Sequence, residues 1–160
     1  MGLLRKMLRA QPTPTADGAF SPSRLAIKLG TSSTTDYDGG AYPTTYTGSK
    51  NRVLMVCTEQ RNMTMANGKK FSTGNHPVEM GLPMLHLMNA GFEIDVVTPT
   101  GAPVAIEEWA MPADDVDIEK LFRDFESAFQ NPGSLADFAL NNIADDTQYA
   151  AVFIPGGHGA

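Results

Sequence analysis

Val53-Leu-Met-Val-Cys57 is an unbroken apolar run with polar residues on either side. A strand with no polar alternation is one whose two faces are both covered, and that is the habit of strands in a parallel sheet. Tyr149-Ala-Ala-Val-Phe-Ile154 reads the same way, as a second buried strand, and it ends in Pro155-Gly-Gly157. Two such runs with helical stretches between them predict an α/β domain.

The segments between follow that pattern. A helix is predicted over about His76–Ala90, with Gly91 as its stop. Pro83 removes the N–H that would bond the carbonyl of residue 79, so this helix must bend there or start late. Phe92-Glu-Ile-Asp-Val-Val-Thr98 alternates apolar and acidic residues, which predicts a half-exposed strand at the sheet edge. Pro103–Ile106 reads as a short extra strand. Ile118, Leu121, Phe122, Phe125 and Phe129 fall at helical spacing, predicting one amphipathic helix over Asp115–Gln130. Ser134 and Asp137 resemble a capping box that opens a helix through about Asn142.

Residues 1–48 are of another kind. They are rich in Pro, Gly, Ser and Thr and read as an extension, with residues 49–160 forming the α/β domain. The extension cannot bury enough apolar surface alone, and its tyrosines, Tyr37, Tyr42 and Tyr46, favour draping over a neighbour. Met1–Arg9 is basic and apolar but too short for a targeting peptide, and reads as a frayed terminus.

Composition narrows the function classes. A net charge of −6 gives no reason to expect nucleic-acid binding. With one cysteine no internal disulfide can form, which suits a reducing, cytoplasmic setting. No apolar run approaches the roughly 20 residues needed to cross a bilayer.

Two stretches carry candidate chemistry. Ser72-Thr-Gly-Asn-His-Pro-Val-Glu79 places a carboxylate, Glu79, in the first turn of the predicted helix. There it serves either as an acid–base group or as a helix-dipole partner worth about 0.3–1 kcal/mol. Gly156-Gly157 follows a predicted strand at its C-terminal end, where open parallel sheets place ligands. Its backbone N–H groups could face an oxyanion, or the turn could be only a tight turn. Cys57 sits within an apolar strand, where a thiol is a poor nucleophile, and reads as core. His76, His86 and His158 show no metal-ligand spacing, the methionines near position 85 read as core filler, and Asp114, Asp115 and Asp117 read as a solvated helix start.

Several stretches together resemble one family. Gly68-Lys-Lys-Phe-Ser-Thr-Gly-Asn-His-Pro-Val-Glu79, Leu85-His86, Asn89-Ala-Gly-Phe92, Glu108-Trp-Ala-Met-Pro112, Asn131-Pro132, Leu135-Ala-Asp137 and Tyr149–Gly159 look like the HchA heat-shock chaperone and glyoxalase branch of the ThiJ/PfpI superfamily. The likeness runs from about Tyr42 to Ala160. It implies a flavodoxin-like three-layer α/β sandwich related to class I glutamine amidotransferases. It also implies cofactor-free conversion of methylglyoxal to D-lactate, deglycation of methylglyoxal-modified side chains, and holding of unfolding protein clients by a homodimer. In that family a cysteine attacks the aldehyde, a glutamate matching Glu79 hydrogen-bonds the thiol, and the turn matching Gly156 and Gly157 supplies an oxyanion-hole N–H.

Two departures qualify what the resemblance implies. The family's nucleophilic Cys, its neighbouring His and a later acid match nothing before Ala160, so this chain alone is expected to be inactive and to leave the strand near residue 152 as an open edge. The bacterial branch carries a metal on two histidines and a glutamate. The matching positions here are Met88, Glu93 and Phe125, so no metal is expected. A holdase without catalysis, or an amidotransferase- or peptidase-like relative, are the alternatives.

Overall fold

The computed structural model describes residues 10–142 and 148–160; the terminal stretch Met1–Arg9 lies outside them. Its centre is β3 (Arg52–Val56), whose middle residues Val53, Leu54 and Met55 are at most 4% exposed. On one side β3 pairs in parallel with β6 (Glu93–Thr98), and on the other with β8 (Tyr149–Phe153). A two-residue strand, β7 (Gly133–Ser134), closes the order as β7-β6-β3-β8. A parallel strand flanked on both edges and covered on its faces needs apolar residues throughout, which is what residues 53–57 supply.

The alternating strand is not where its pattern placed it. β6 lies inside the sheet, because β7 pairs with it at Val97 and Thr98. Its burial rises along the strand rather than alternating, from exposed Glu93 to buried Thr98. The acidic residues have a different cause: Arg52, directly opposite Glu93 in the register, bonds both Glu93 and Asp95. Tyr149 of β8 also donates to Asp95 Oδ2, at 2.7 Å. Three strand starts are thus tied through one carboxylate. Burial pulls the Asp95 pKa upward, but the bonds from Arg52 and Tyr149 outweigh it and hold it low.

β8 also departs from expectation. It was expected to be buried, yet Ala150, Ala151 and Val152 are exposed, with Val152 at 61% and Ile154 just beyond it at 67%. The apolar run alone predicts a covered strand, whereas β8 pairs only with β3 among the described residues, which is the open edge expected near residue 152.

The first long helix, α2 (Pro77–Asn89), is preceded by α1 (Arg24–Gly30) in the extension and stops where Gly91 takes a φ of 95°. Pro83 sits within α2 rather than in its first turn. Met80 and Met84 are fully buried and pack with Met55, Cys57 and Leu121. The predicted single helix over 115–130 is two: α3 (Val116–Asp124) and α4 (Glu126–Gln130), broken at Phe125. The break lets Phe125 and Phe129 meet at 5.8 Å while Phe122 also reaches Phe129 at 5.4 Å. Residues 103–106 form no strand. Their backbone is spent on loops, with Val104 donating to Phe129 O and Ala105 to Thr58 O, and only Ile106 bridges Asn75. Ser134 caps α5 (Leu135–Asn142) as expected, accepting from Asp137 N–H at 3.1 Å.

A second sheet, which the sequence did not announce, joins the extension to the domain. Its order is β1 (Thr13–Pro14), β2 (Phe20–Ser21), β5 (Lys70–Ser72), β4 (Asn62–Thr64). Strands β4 and β5 form a hairpin around Asn67 and Gly68. Further along, Tyr46 stacks on Phe92 at 4.9 Å, Tyr42 Oη lies 2.9 Å from His86 Nδ1, and Thr35 bonds Asp115. Asp115 is therefore not a solvated helix-start charge. It is 8% exposed and caps α3 through Ile118 N–H at 3.0 Å.

Candidate active site

Two segments lie against each other: residues 73–79, running from β5 into α2, and residues 155–160, after the C-terminal end of β8. His76, the N-cap of α2, donates its N–H to Gly156 O at 2.9 Å, and Gly159 donates to Gly74 O at 3.2 Å. Asn75 holds the first segment in place. Its fully buried amide accepts from Thr58 N–H at 3.1 Å and donates to Thr58 O and Ala105 O, stapling it to the loops after β3 and before Ile106. These ties bring the two sequence stretches together although Glu79 and Pro155 are 76 positions apart.

Glu79 is exposed and stands in the first turn of α2. Its carboxylate lies directly over Gly156: a Cβ built there would fall on Glu79 Oε2. At Gly157 the constraint is backbone instead. Its φ is 141°, and a Cβ would meet Gly74 O, His76 N and Asn75 Cα. Gly157 is required by close approach of backbone and by its conformation, whereas at Gly156 the neighbour is the tip of a flexible side chain. Among the described residues, neither the Gly156 nor the Gly157 N–H donates to another group of the chain. A carboxylate therefore lies beside a turn whose two N–H groups bond nothing among the described residues, and a carboxylate and nearby backbone donors are the groups that could move a proton and steady an oxyanion.

Beside the turn is a second carboxylate that sequence reading missed. Glu107 is fully buried, and its Oε1 accepts from His158 N–H at 3.0 Å and Thr73 Oγ1 at 3.2 Å, with His158 Nδ1 at 2.9 Å. Its other oxygen has no partner among the described residues. Phe71, Trp109 and the His158 ring cluster around it with centroids 5.5–6.0 Å apart. Trp109 Nε1 donates to Ser72 O at 3.1 Å. Nothing in the sequence marked Glu107, because a Glu-Glu pair between Ile106 and Trp109 has no periodicity that separates a buried carboxylate from a solvated one. A cavity of about 430 Å³ opens here, walled by Arg61, Ser72, Thr73 and Trp109 with Thr15–Asp17 of the extension. A larger one of about 590 Å³, between Ile106, Met111 and the phenylalanines of α3 and α4, includes neither Glu79 nor the glycine turn.

Cys57 does not join the site. It is 1% exposed, its Sγ faces Met80 Sδ at 3.9 Å, and burial pushes the thiol pKa up to about 12. A neutral, enclosed thiol is core. The positions matching the family's metal ligands do not fit a metal either. Met88 offers only a thioether, Phe125 offers no donor and packs on Phe129, and Glu93 is engaged by Arg52.

This architecture, with a parallel sheet carrying its candidate site beyond the C-terminal strand ends, is a flavodoxin-like α/β arrangement. The solved Rapid Encystment Protein 24 kDa of Francisella tularensis superposes with a TM-score of 0.53 at 24% identity, covering 68% of this chain and 45% of that one, a likeness of fold. By sequence, the chain is 50% identical over 151 residues to the protein/nucleic acid deglycase HchA of Pseudomonas aeruginosa (strain UCBPP-PA14), covering 92% of this chain and 52% of the relative. It is 45% identical over 155 residues to the HchA deglycase of Staphylococcus aureus (strain JH9), covering 96% and 53%. The chain is thus similar in sequence to these HchA deglycases and spans about half the length of the curated relatives it matches. No protein-family model matches it. No described helix is long and apolar enough to cross a membrane.

Proposed function

We propose that these residues form one wall of an active site that handles small aldehydes such as methylglyoxal and their adducts on protein side chains. The observation that carries the reading is the Glu79 carboxylate lying over Gly156, next to two uncommitted N–H groups. Glu79 acts as proton acceptor and donor, and the Gly157 N–H, with the Gly156 turn, stabilises the oxyanion that forms as the carbonyl is attacked. The nucleophile is a thiol other than Cys57, whose burial keeps it protonated. With that thiol in place, the sequence is hemithioacetal formation, proton transfer through an enediol to a thioester, and hydrolysis of the thioester by water to give the hydroxy acid and the free thiol; from an adduct, the unmodified side chain is released as well. Names of the relatives support the substrate class, and the single free cysteine suits a cytoplasmic setting.

A chimera tests this. Residues 49–160 replace the matching half of the Pseudomonas relative, and D-lactate release from methylglyoxal is followed. Activity is expected in the chimera, with a loss of roughly 100-fold or more in kcat for Glu79→Gln. An active chimera indifferent to Glu79→Gln would overturn the role of Glu79. The 160-residue chain alone is expected to release no lactate, and turnover abolished by Cys57→Ser would reinstate Cys57.

Holding of unfolding clients by a homodimer is the second reading, favoured by Val152 and Ile154 standing exposed along one strand. Suppression of client aggregation by the chain without aldehyde turnover is its test, and a Val152→Lys, Ile154→Lys variant that suppresses equally well would count against that surface.

A further inference from the structure

Glu107 is absent from the machinery proposed above, yet it is the most enclosed charged side chain beside it. Its Oε1 gathers three groups: the backbone N–H of His158, the His158 Nδ1 and the Thr73 hydroxyl. The first two belong to the residue directly after Gly157, and the third to the segment that leads into Glu79. Glu107 is itself anchored, donating its own N–H to Asn75 O at 3.0 Å beside the Asn75–Ile106 bridge. One buried oxygen therefore spans the two segments that make the site.

We propose that Glu107 is a positioning residue for the glycine turn, fixing the backbone and the ring of His158 together so that the Gly156 and Gly157 N–H groups are left uncommitted. Two consequences follow from the bonding. The peptide between Gly157 and His158 has its N–H committed to the carboxylate, so it cannot rotate to compete for the space in front of Glu79. A carboxylate oxygen only accepts, so the ring must carry a proton on Nδ1, whereas free imidazole prefers its proton on Nε2. Bonds to an ionised acceptor are roughly twice as strong as neutral ones, so the clamp depends on the charge and not merely on the shape of the side chain. The unpartnered Oε2 is consistent with a group kept for this contact, since a buried acceptor left over is a cost. Location of the site rests on the proposed function, but the clamp itself does not.

The test needs no turnover. In ¹⁵N-labelled chain, long-range spectra of the His158 ring report the tautomer, and the His158 amide reports its bond through chemical shift and hydrogen exchange. Wild type is expected to show Nδ1–H and a downfield, protected amide. Glu107→Gln keeps the volume and drops the charge; its His158 amide is expected to move upfield and exchange about tenfold faster. Thr73→Val, which removes the hydroxyl partner but neither His158 contact, is expected to leave both signals in place. The clamp is overturned if Glu107→Gln leaves His158 unchanged, if wild type shows the Nε2–H tautomer, or if Thr73→Val disturbs His158 as much as Glu107→Gln. In the chimera, Glu107→Gln is expected to lower kcat with KM nearly unchanged. An inactive chimera with the NMR signals as expected would sink the proposed function and leave the clamp standing.

Discussion

At the scale of single residues, the two glycines of the turn make separable predictions. At Gly156 an added Cβ meets the tip of a flexible side chain, so Glu79 can swing aside. At Gly157 it meets backbone of residues 74–76 at a φ of 141°. Gly156→Ala is therefore expected to cost under about 1 kcal/mol in urea unfolding, and Gly157→Ala about 2 kcal/mol or more. Equal costs would mean that Glu79 is as fixed as the backbone. Cys57 gives a pH prediction. Its folded pKa, about 12, lies above the ordinary thiol value, so the folded state keeps a proton the unfolded chain loses. Its contribution is complete below pH of about 8.5 and is lost as pH rises toward about 12, at roughly 1.4 kcal/mol per pH unit. Wild type should lose stability between pH 8 and pH 10.5 more steeply than Cys57→Ala, by urea titration at each pH.

At the scale of elements, Asp115 does more than start a helix. Burial raises its pKa, but the N–H of Ile118 and the two groups of Thr35 prevail and hold it below the usual carboxylate range. Asp115→Asn is expected to destabilise the chain by about 1–2 kcal/mol at neutral pH, since it weakens a cap and the anchor of the extension together. Because the folded pKa is depressed, that advantage is present above the unfolded value near about 4 and fades as pH falls through the lower folded one. Thermal melts at pH 7 and pH 3 check the sign: the gap between wild type and variant should narrow in acid. The helix break at Phe125 belongs to this scale too. A continuous apolar stripe at residues 118–129 has one periodicity whether it forms one helix or two, so only the packing of three phenylalanine rings decided it.

At the scale of the molecule, β8 is a sheet edge with apolar side chains in the open. A strand whose outer edge is unpaired among the described residues offers its N–H and C=O groups to another chain. The 160-residue chain is expected to associate with rising concentration in light scattering. Lysine at both position 152 and position 154 should shift it toward monomer; a wild type that stays monodisperse and monomeric at high concentration would contradict the expectation. The extension adds a second long-range feature. Residues 13–48 reach the domain through a strand pairing, a stacked tyrosine and the Thr35–Asp115 bonds, contacts between residues 46 to 80 positions apart.

What the sequence determined was everything that depends on neighbours along the chain. The covered strand at 53–57, the helix with Gly91 behind it and the cap at Ser134 all follow from local periodicity and backbone freedom, whereas the nearness of Glu79 to the glycine turn is a tertiary contact. Periodicity could not tell a covered strand from an exposed one at 149–153, because coverage is supplied by other elements. Nor could it place β6 inside the sheet, since a two-residue partner has no pattern, or explain its acids, which answer to Arg52 across the register. Glu107 was invisible for the same reason. A buried carboxylate is recognisable only by the donors folded around it, and those come from residues 73 and 158, brought to one oxygen by the tertiary fold.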